Sequence, residues 1–295
     1  MKRNWISGAA LLLGTLGNVI AQPAGGGWEA VDKVFGSAGK DMPGEVHRFG
    51  WPRADLKVSL DGVAIEPPLA LGSWAAFKKT GSGDEAIAMG DLALLDSEVD
   101  GVIRAFEAGG VEVLAVHNHL IGETPRIVYV HFHGHGAANA LATSIHVALA
   151  KTKTPLTGGG PVQASEDEKK VLDRVESAFG RKGAMAGRVL QFGVARAAAI
   201  RDSGLEIPPS MGMANSINFQ AAGSQVATTG DFVLVADEVN PVIRELQSHG
   251  IAVTALHSHM LREDPRLFFM HFWGVGTPEK LGEGIKAALA KVATK

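Results

Sequence analysis

GDLALLDSEVDGVIRAFEAGGVEVLAVHNHLIGETPRIVYVHFHGHG, residues 90–136, returns at residues 230–276 as GDFVLVADEVNPVIRELQSHGIAVTALHSHMLREDPRLFFMHFWGVG. The two stretches align without a gap at an offset of 140 residues, so that His117 falls on His257, His119 on His259 and His131 on His271. Glu123 and Arg126 fall on Glu263 and Arg266. A long shared period marks a duplicated structural unit. Three imidazoles kept in both copies point to a polar site within that unit.

Working outward, each repeat reads in the same order. A short helix opens it, at 28–36 and at 168–180, where Val171, Leu172, Val175, Ala178 and Phe179 keep helical spacing. Glycine-bounded strands follow at 44–50 and 187–193, and Arg53 then aligns with Arg196. The prolines and glycines of PPLALGSWAAF (67–77) and PPSMGMANSINF (208–219) predict an edge or irregular strand. A firmer strand at 85–95 has its counterpart at 225–235. Ser97 and Asp237 are expected N-caps, each followed by a first-turn glutamate, Glu98 or Glu238. Val99, Val102, Ile103 and Phe106 then mark one helix face, closed by Gly109 and Gly110. Strands at 111–119 and 126–134 flank a turn at Thr124-Pro125, and a final helix ends each copy. The predicted fold is α+β: two tandem pseudo-equivalent repeats, each with a largely antiparallel sheet and flanking helices. The repeats occupy 22–151 and 168–295, with a linker at 152–167.

The first 21 residues read as a signal peptide, with Lys2 and Arg3 before an apolar run and a small-residue cleavage site ending at Ala21. Cysteine is absent, which excludes both disulfides and a lipidated N-terminus. A soluble periplasmic or secreted protein is expected, with no stable membrane insertion after cleavage. A net charge of −3, from 28 basic and 31 acidic residues, argues against nucleic acid as a partner.

Side chains at i and i+2 of a strand share a face, so His117 pairs with His119, and His131 with His133 and His135. An even register sum across the hairpin puts all five on one side, and a slip of one residue separates the sets. Opposed imidazoles in adjacent strands are close enough to chelate one ion, with zinc or copper the suited metals. Position 133 becomes Trp273 in the second copy, 135 becomes Val275, and His47 becomes Leu190. This inequality is read as one working site plus one reduced site, the alternative being a single cleft fed by both halves. Glu123 is a candidate general base or a partner that orients a metal-binding histidine, and Arg126 an anion clamp. Their bland reading is a turn held by a local ion pair. Asp91 and Asp231 are assigned a turn role, with orientation of a histidine as the alternative. The glycines at 134, 136, 274 and 276 fit simple turns or close approach to a ligand. His146 and His249 are read as helix-face or cap residues, and Trp51, Trp74 and Trp273 as core residues rather than stacking platforms.

The duplicated arrangement GD…E-V-x-x-V-I-R…G-x-x-V…HxH…E-x-P-R…H-F-x-G-x-G resembles the LppY/LpqO family of exported bacterial proteins. The resemblance covers nearly all of the mature chain and is most specific at His117–Gly136. Named members look like lipoproteins, whereas this chain has no cysteine to carry lipid. The resemblance implies export and the repeat boundaries, and supplies no catalytic residue. The function expected from the residues is an extracytoplasmic binding protein with a divalent-metal site. The alternatives are a metal-assisted hydrolase of an anionic small-molecule or cell-envelope substrate, and a metal-free ligand-binding or scaffold protein.

Overall fold

A computed structural model describes residues 27–81, 83–157, 160 and 162–295. The expected signal peptide lies outside them. Each repeat builds one six-stranded antiparallel sheet. The first contains β1 (Lys40–Met42), β2 (Val46–Pro52), β3 (Gly72–Lys79), β4 (Glu85–Leu95), β5 (Glu112–His117) and β6 (Ile127–Ala137), in the order β1-β2-β3-β4-β6-β5. The second contains β7 (Ala184–Ala186), β8 (Val189–Ala195), β9 (Ala214–Ala222), β10 (Gln225–Leu234), β11 (Ala252–His257) and β12 (Phe268–Gly276), in the equivalent order β7-β8-β9-β10-β12-β11. The helices are α1 (Glu29–Phe35), α2 (Pro67–Ala70), α3 (Asp96–Ala108), α4 (Ala138–Leu149), α5 (Glu166–Phe179), α6 (Ala236–Ser248) and α7 (Pro278–Leu289).

Four layers result. Val31 and Phe35 of α1, Val102 and Phe106 of α3, and Leu141 and Ile145 of α4 pack on one face of the first sheet. The helices α5, α6 and α7 cover the second sheet in the same way. The other faces of the two sheets meet, since Ile87 and Met89 share a core with Val233 and Phe269, while Tyr129 shares another with Ala227 and Trp273. A strand covered on both sides reads as a continuous apolar run rather than an alternation. This explains β4, which is buried from Ala86 to Leu94.

Three local expectations are corrected. The segments at 67–77 and 208–219 give the interior strands β3 and β9, because their prolines fall in α2 and in a 3-10 turn at Pro209–Met211 ahead of them. The helices α3 and α6 start one residue before Ser97 and Asp237, so these are not the N-caps. The first-turn glutamates supply the capping instead: Leu95 N–H donates to Glu98 at 2.9 Å, and Val235 N–H to Glu238 at 2.9 Å. Both carboxylates also receive a buried arginine, Arg53 for Glu98 and Arg196 for Glu238. The third correction concerns the glycine pairs. They lie in β6 and β12 rather than in turns. A Cβ at Gly134 would lie 2.6 Å from Leu141 of α4, so strand–helix packing requires that glycine, while one at Gly274 would press on Ile251 at 3.3 Å and on Leu281 of α7 at 3.4 Å.

His47 belongs to the helical face of its sheet. It is buried with Nδ1 at 2.7 Å from Asp41 and Nε2 at 2.8 Å from Asp32 of α1, and so pins that helix to the sheet. Substituting His47→Leu, the residue of the second repeat, is expected to lower stability by about 1.5–3 kcal/mol, the range for hydrogen bonds to charged groups. Urea denaturation would register it, and an unchanged midpoint would show the pin to be dispensable.

Candidate metal centre

The hairpin β5–β6 carries the first three histidines, and a bulge decides where they point. Glu112 lies opposite His133, but beyond a register shift between Val113 and Ala115 the partners become Ala115 with His131 and His117 with Tyr129. Partners across an antiparallel ladder share a face. Without the extra residue His117 would sit on the face opposite His131, whereas with it both project toward the second sheet. The second repeat repeats the device between Val253 and Ala255, bringing His257 to the side of His271. The small residues Ala115 and Ala255 oppose His131 and His271 and leave room for their rings. His119 and His259 follow the strands, His119 stacked at 3.3 Å on Tyr129 and His259 at 3.8 Å on Phe269.

All six rings meet in one cluster between the sheets. Their centroids pair across the repeats: His117 with His257 at 3.7 Å, His119 with His271 at 3.8 Å, and His131 with His259 at 3.6 Å. Within a repeat, His117 and His131 lie 5.0 Å apart, as do His257 and His271. This overturns the reading of one working and one reduced site, because both copies supply the same centre. The His117–His257 pair lies on the pseudo-twofold axis that relates the halves.

Asp91 and Asp231 occupy mid-strand positions opposite His131 and His271 rather than turns. Asp91 Oδ2 lies 3.5 Å from His131 Nε2 and 3.6 Å from His119 Nε2, while Asp231 is 3.9 Å from His259 and 4.0 Å from His271. The preceding glycines are required by close packing, since a Cβ at Gly90 would lie 2.3 Å from the Trp74 carbonyl and one at Gly230 2.0 Å from that of Ser216.

Burial, reinforced by neighbouring imidazoles, holds His117, His119, His131 and His259 far below the usual histidine range. Burial brings His257 down to about 4, and burial with His257 nearby brings His271 down to about 3. The six rings are therefore neutral at physiological pH, the state in which imidazole ligates metal. His271 Nδ1 lies 2.9 Å from the Gly230 carbonyl. A carbonyl only accepts, so Nδ1 carries the proton and Nε2 the lone pair, an orientation common to metal-bound histidines. Eight buried imidazole nitrogens of the cluster have no hydrogen-bond partner, namely both of His117 and His257 and Nε2 of His119, His131, His259 and His271. Two sets suit a cation: His117, His257, His259 and His271, and His117, His119 and His131, each with ligand atoms within 4.8 Å of one another. Ligands about 2.0–2.1 Å from a tetrahedral zinc ion stand about 3.4 Å apart, so each set needs only a modest inward shift.

The pH response of the metal-free protein follows in sign. Histidines held below their unfolded value of about 6.5 bind fewer protons when folded than when unfolded. Their contribution is fully present above that value and is lost as pH falls through about 4 and 3. Burial raises Asp91 and Asp231 and acts in the opposite sense. With six histidines against two carboxylates, the metal-free protein is expected to lose thermal stability steadily below about pH 6.5. Melting temperatures measured across pH 4–8 would check this, and a flat profile would contradict it.

The remaining candidates lie elsewhere. His133 shares the inner face but sits one ladder pair beyond the cluster, with Nδ1 3.6 Å from Glu112, whose carboxylate also binds Arg262 of the second repeat at 3.0 Å. His135 is exposed at the end of β6. Glu123, in the turn, and Glu263, in a short strand paired with Asp202, are buried and accept backbone hydrogen bonds from Ile127 and Leu267. Arg126 is exposed and donates to Asn118, while Arg266 pairs with Glu263 at 3.2 Å. Trp51 and Trp273 are buried, and Trp273 Nε1 donates to Asp61 at 2.8 Å. His249 caps the C-terminus of α6.

A cavity of 510 Å³ opens beside the cluster, reaching His119, His131, His259 and His271. Arg48 and Trp74 line it from the first repeat. Arg48 escaped the sequence reading because it occurs in one copy only, with Gln191 in its place. The core expectation for Trp74 is corrected: it is half-buried, lines the cavity and stacks under Arg48, with Ser216 at its place in the second copy.

The family described as "Domain of Unknown Function (DUF1259)" matches the chain twice, over residues 29–151 and 173–291. No protein of curated function matches it. A solved structure, that of the trimeric bacterial microcompartment shell protein PduB, aligns over 86% of this chain and 90% of its own at 12% identity and a TM-score of 0.20, too little likeness to carry an argument.

Proposed function

The chain belongs to the DUF1259 family of unknown function, and from that premise we propose that it is an extracytoplasmic protein that binds a divalent transition metal between its two repeats. One observation carries the reading: eight unpartnered imidazole nitrogens are buried around a common pseudo-axis. A buried polar atom without a partner costs about 1–3 kcal/mol, and a cation that accepts several such lone pairs at once removes the cost. With no thiolate present, zinc and copper are the suited ions. Export rests on the N-terminal sequence and on the likeness to the LppY/LpqO proteins. Among the described residues no helix is long and apolar enough to cross a membrane.

The hydrolase alternative has less to draw on. Glu123 is engaged with a backbone amide and Arg126 lies at the surface, so neither borders the cluster. Elemental analysis of the untagged protein, followed by titration with zinc and copper, tests the proposal. Stoichiometric metal is expected. A protein that neither carries metal nor takes it up would be a metal-free scaffold.

A further inference from the structure

The two walls of the cavity beside the histidines are chemically unlike. The first repeat contributes a cation, Arg48, whose guanidinium carbon lies 4.0 Å from the centre of the Trp74 ring. The same side chain donates from Nη1 to the Ser210 carbonyl of the second repeat at 2.7 Å. The second repeat adds Gln191, Ser216, Asn218 and Thr229, all uncharged, and Asn218 Oδ1 is buried without a partner. One carboxyl from each repeat, Asp91 and Asp231, lines the histidine end, both pushed well above the usual carboxylate range by burial.

Arg48 is thus held flat on an aromatic face and tethered at one nitrogen. Among the described residues no carboxylate forms an ion pair with it. Burial lowers its pKa to about 10, against which Asp91 acts, so it stays charged at neutral pH. A guanidinium has five N–H donors in a planar fork, and here one is committed to protein. A charge taken out of water with no carboxylate at ion-pair distance, Asp91 acting only from farther off, is unfavourable, and a fork facing an open cavity is the usual means of gripping an oxyanion at two points. The volume of 510 Å³ lies within the range that holds small-molecule ligands.

We infer that this cavity binds a small organic anion, its carboxylate or phosphate group held by Arg48 and its other end directed to the histidine cluster. This deepens the metal-centre reading, on which the contact at the far end rests, while the grip of Arg48 stands without it. The asymmetry gives the ligand a polarity: an anionic head at Arg48 and Trp74, a neutral polar body along Gln191, Ser216 and Asn218.

The test is calorimetric titration of the full mature protein with succinate and, separately, inorganic phosphate, in metal-loaded and metal-stripped forms. At least one probe is expected to bind, and the preferred one tells carboxylate from phosphate. Arg48→Met should weaken that binding at least tenfold with metal content unchanged, and Arg48→Gln, which installs the residue of the second repeat, should do the same if the methionine variant fails to fold. Absence of binding by both probes, or binding unaffected by both substitutions, overturns the inference. Failure of the metal reading appears separately, as wild-type protein without metal whose anion binding still depends on Arg48.

Discussion

Replacing His117 by alanine is expected to abolish stoichiometric metal binding, because His117 belongs to both candidate ligand sets whereas His257 belongs to one. Loss of outer-shell partners costs about 10–100-fold in metal affinity, and loss of a ligand shared by two sets should exceed that. At a free metal concentration of 100–1,000 times Kd, binding to the folded state alone contributes about 2.7–4.1 kcal/mol. For a protein of this size the corresponding rise in melting temperature is about 5–15 °C. Calorimetry with and without chelator should therefore show a large shift for the wild type and almost none for His117→Ala. His257→Ala should retain the set His117, His119 and His131 and respond in between. Equal metal content and equal chelator response in all three proteins would remove the central histidine from the site.

The second large effect concerns stability. Arg53 is fully buried, with Nη1 2.7 Å from Glu98 and 2.8 Å from the Ala93 carbonyl, and it binds Asp55 at 2.9 Å. Arg196 makes the equivalent contacts to Glu238 and the Val233 carbonyl, both at 2.6 Å. Each arginine ties β4 or β10 to the first turn of the following helix. Removing one partner of a buried pair strands the other and costs about 3–5 kcal/mol. Arg53→Met and Arg196→Met should each lose about that much in chemical denaturation. Pairing Arg196→Met with Glu238→Gln should recover part of the loss, since no uncompensated charge then remains. A loss below about 1 kcal/mol in both single variants would show that water reaches these carboxylates.

The repeat, its strands and its helices are legible in sequence because they rest on local periodicity and on a gapless 140-residue offset. Counting by twos along a strand also groups the histidines that matter. It cannot reveal that Glu112 pairs with His133 at an odd sum while Ala115 pairs with His131 at an even one. The condition for convergence is met only through a bulge at Leu114, which leaves no compositional mark. The meeting of the two sheets is equally hidden, because β4 is apolar on both faces and its pattern does not say which face meets a helix. Asp91 reads as a turn residue from its glycine neighbour, yet that glycine is there to let strands approach closely. Arg48 escapes for a different reason: a search for what the two copies share passes over what only one of them has, and Trp74 is misassigned to the core because nothing in the sequence places a cation above its ring.

The shared centre has a historical consequence. Two identical single-repeat chains related by an isologous twofold axis would bring the same six imidazoles together, so such a homodimer is a sufficient ancestor for the fused chain. In that ancestor each change at the contact would have appeared twice, and a cation on one wall would have faced its own copy. Fusion lifted that constraint. Arg48 now faces a half that carries Gln191 in its place. Joining the genes thus allowed a self-complementary pair to acquire two unlike walls.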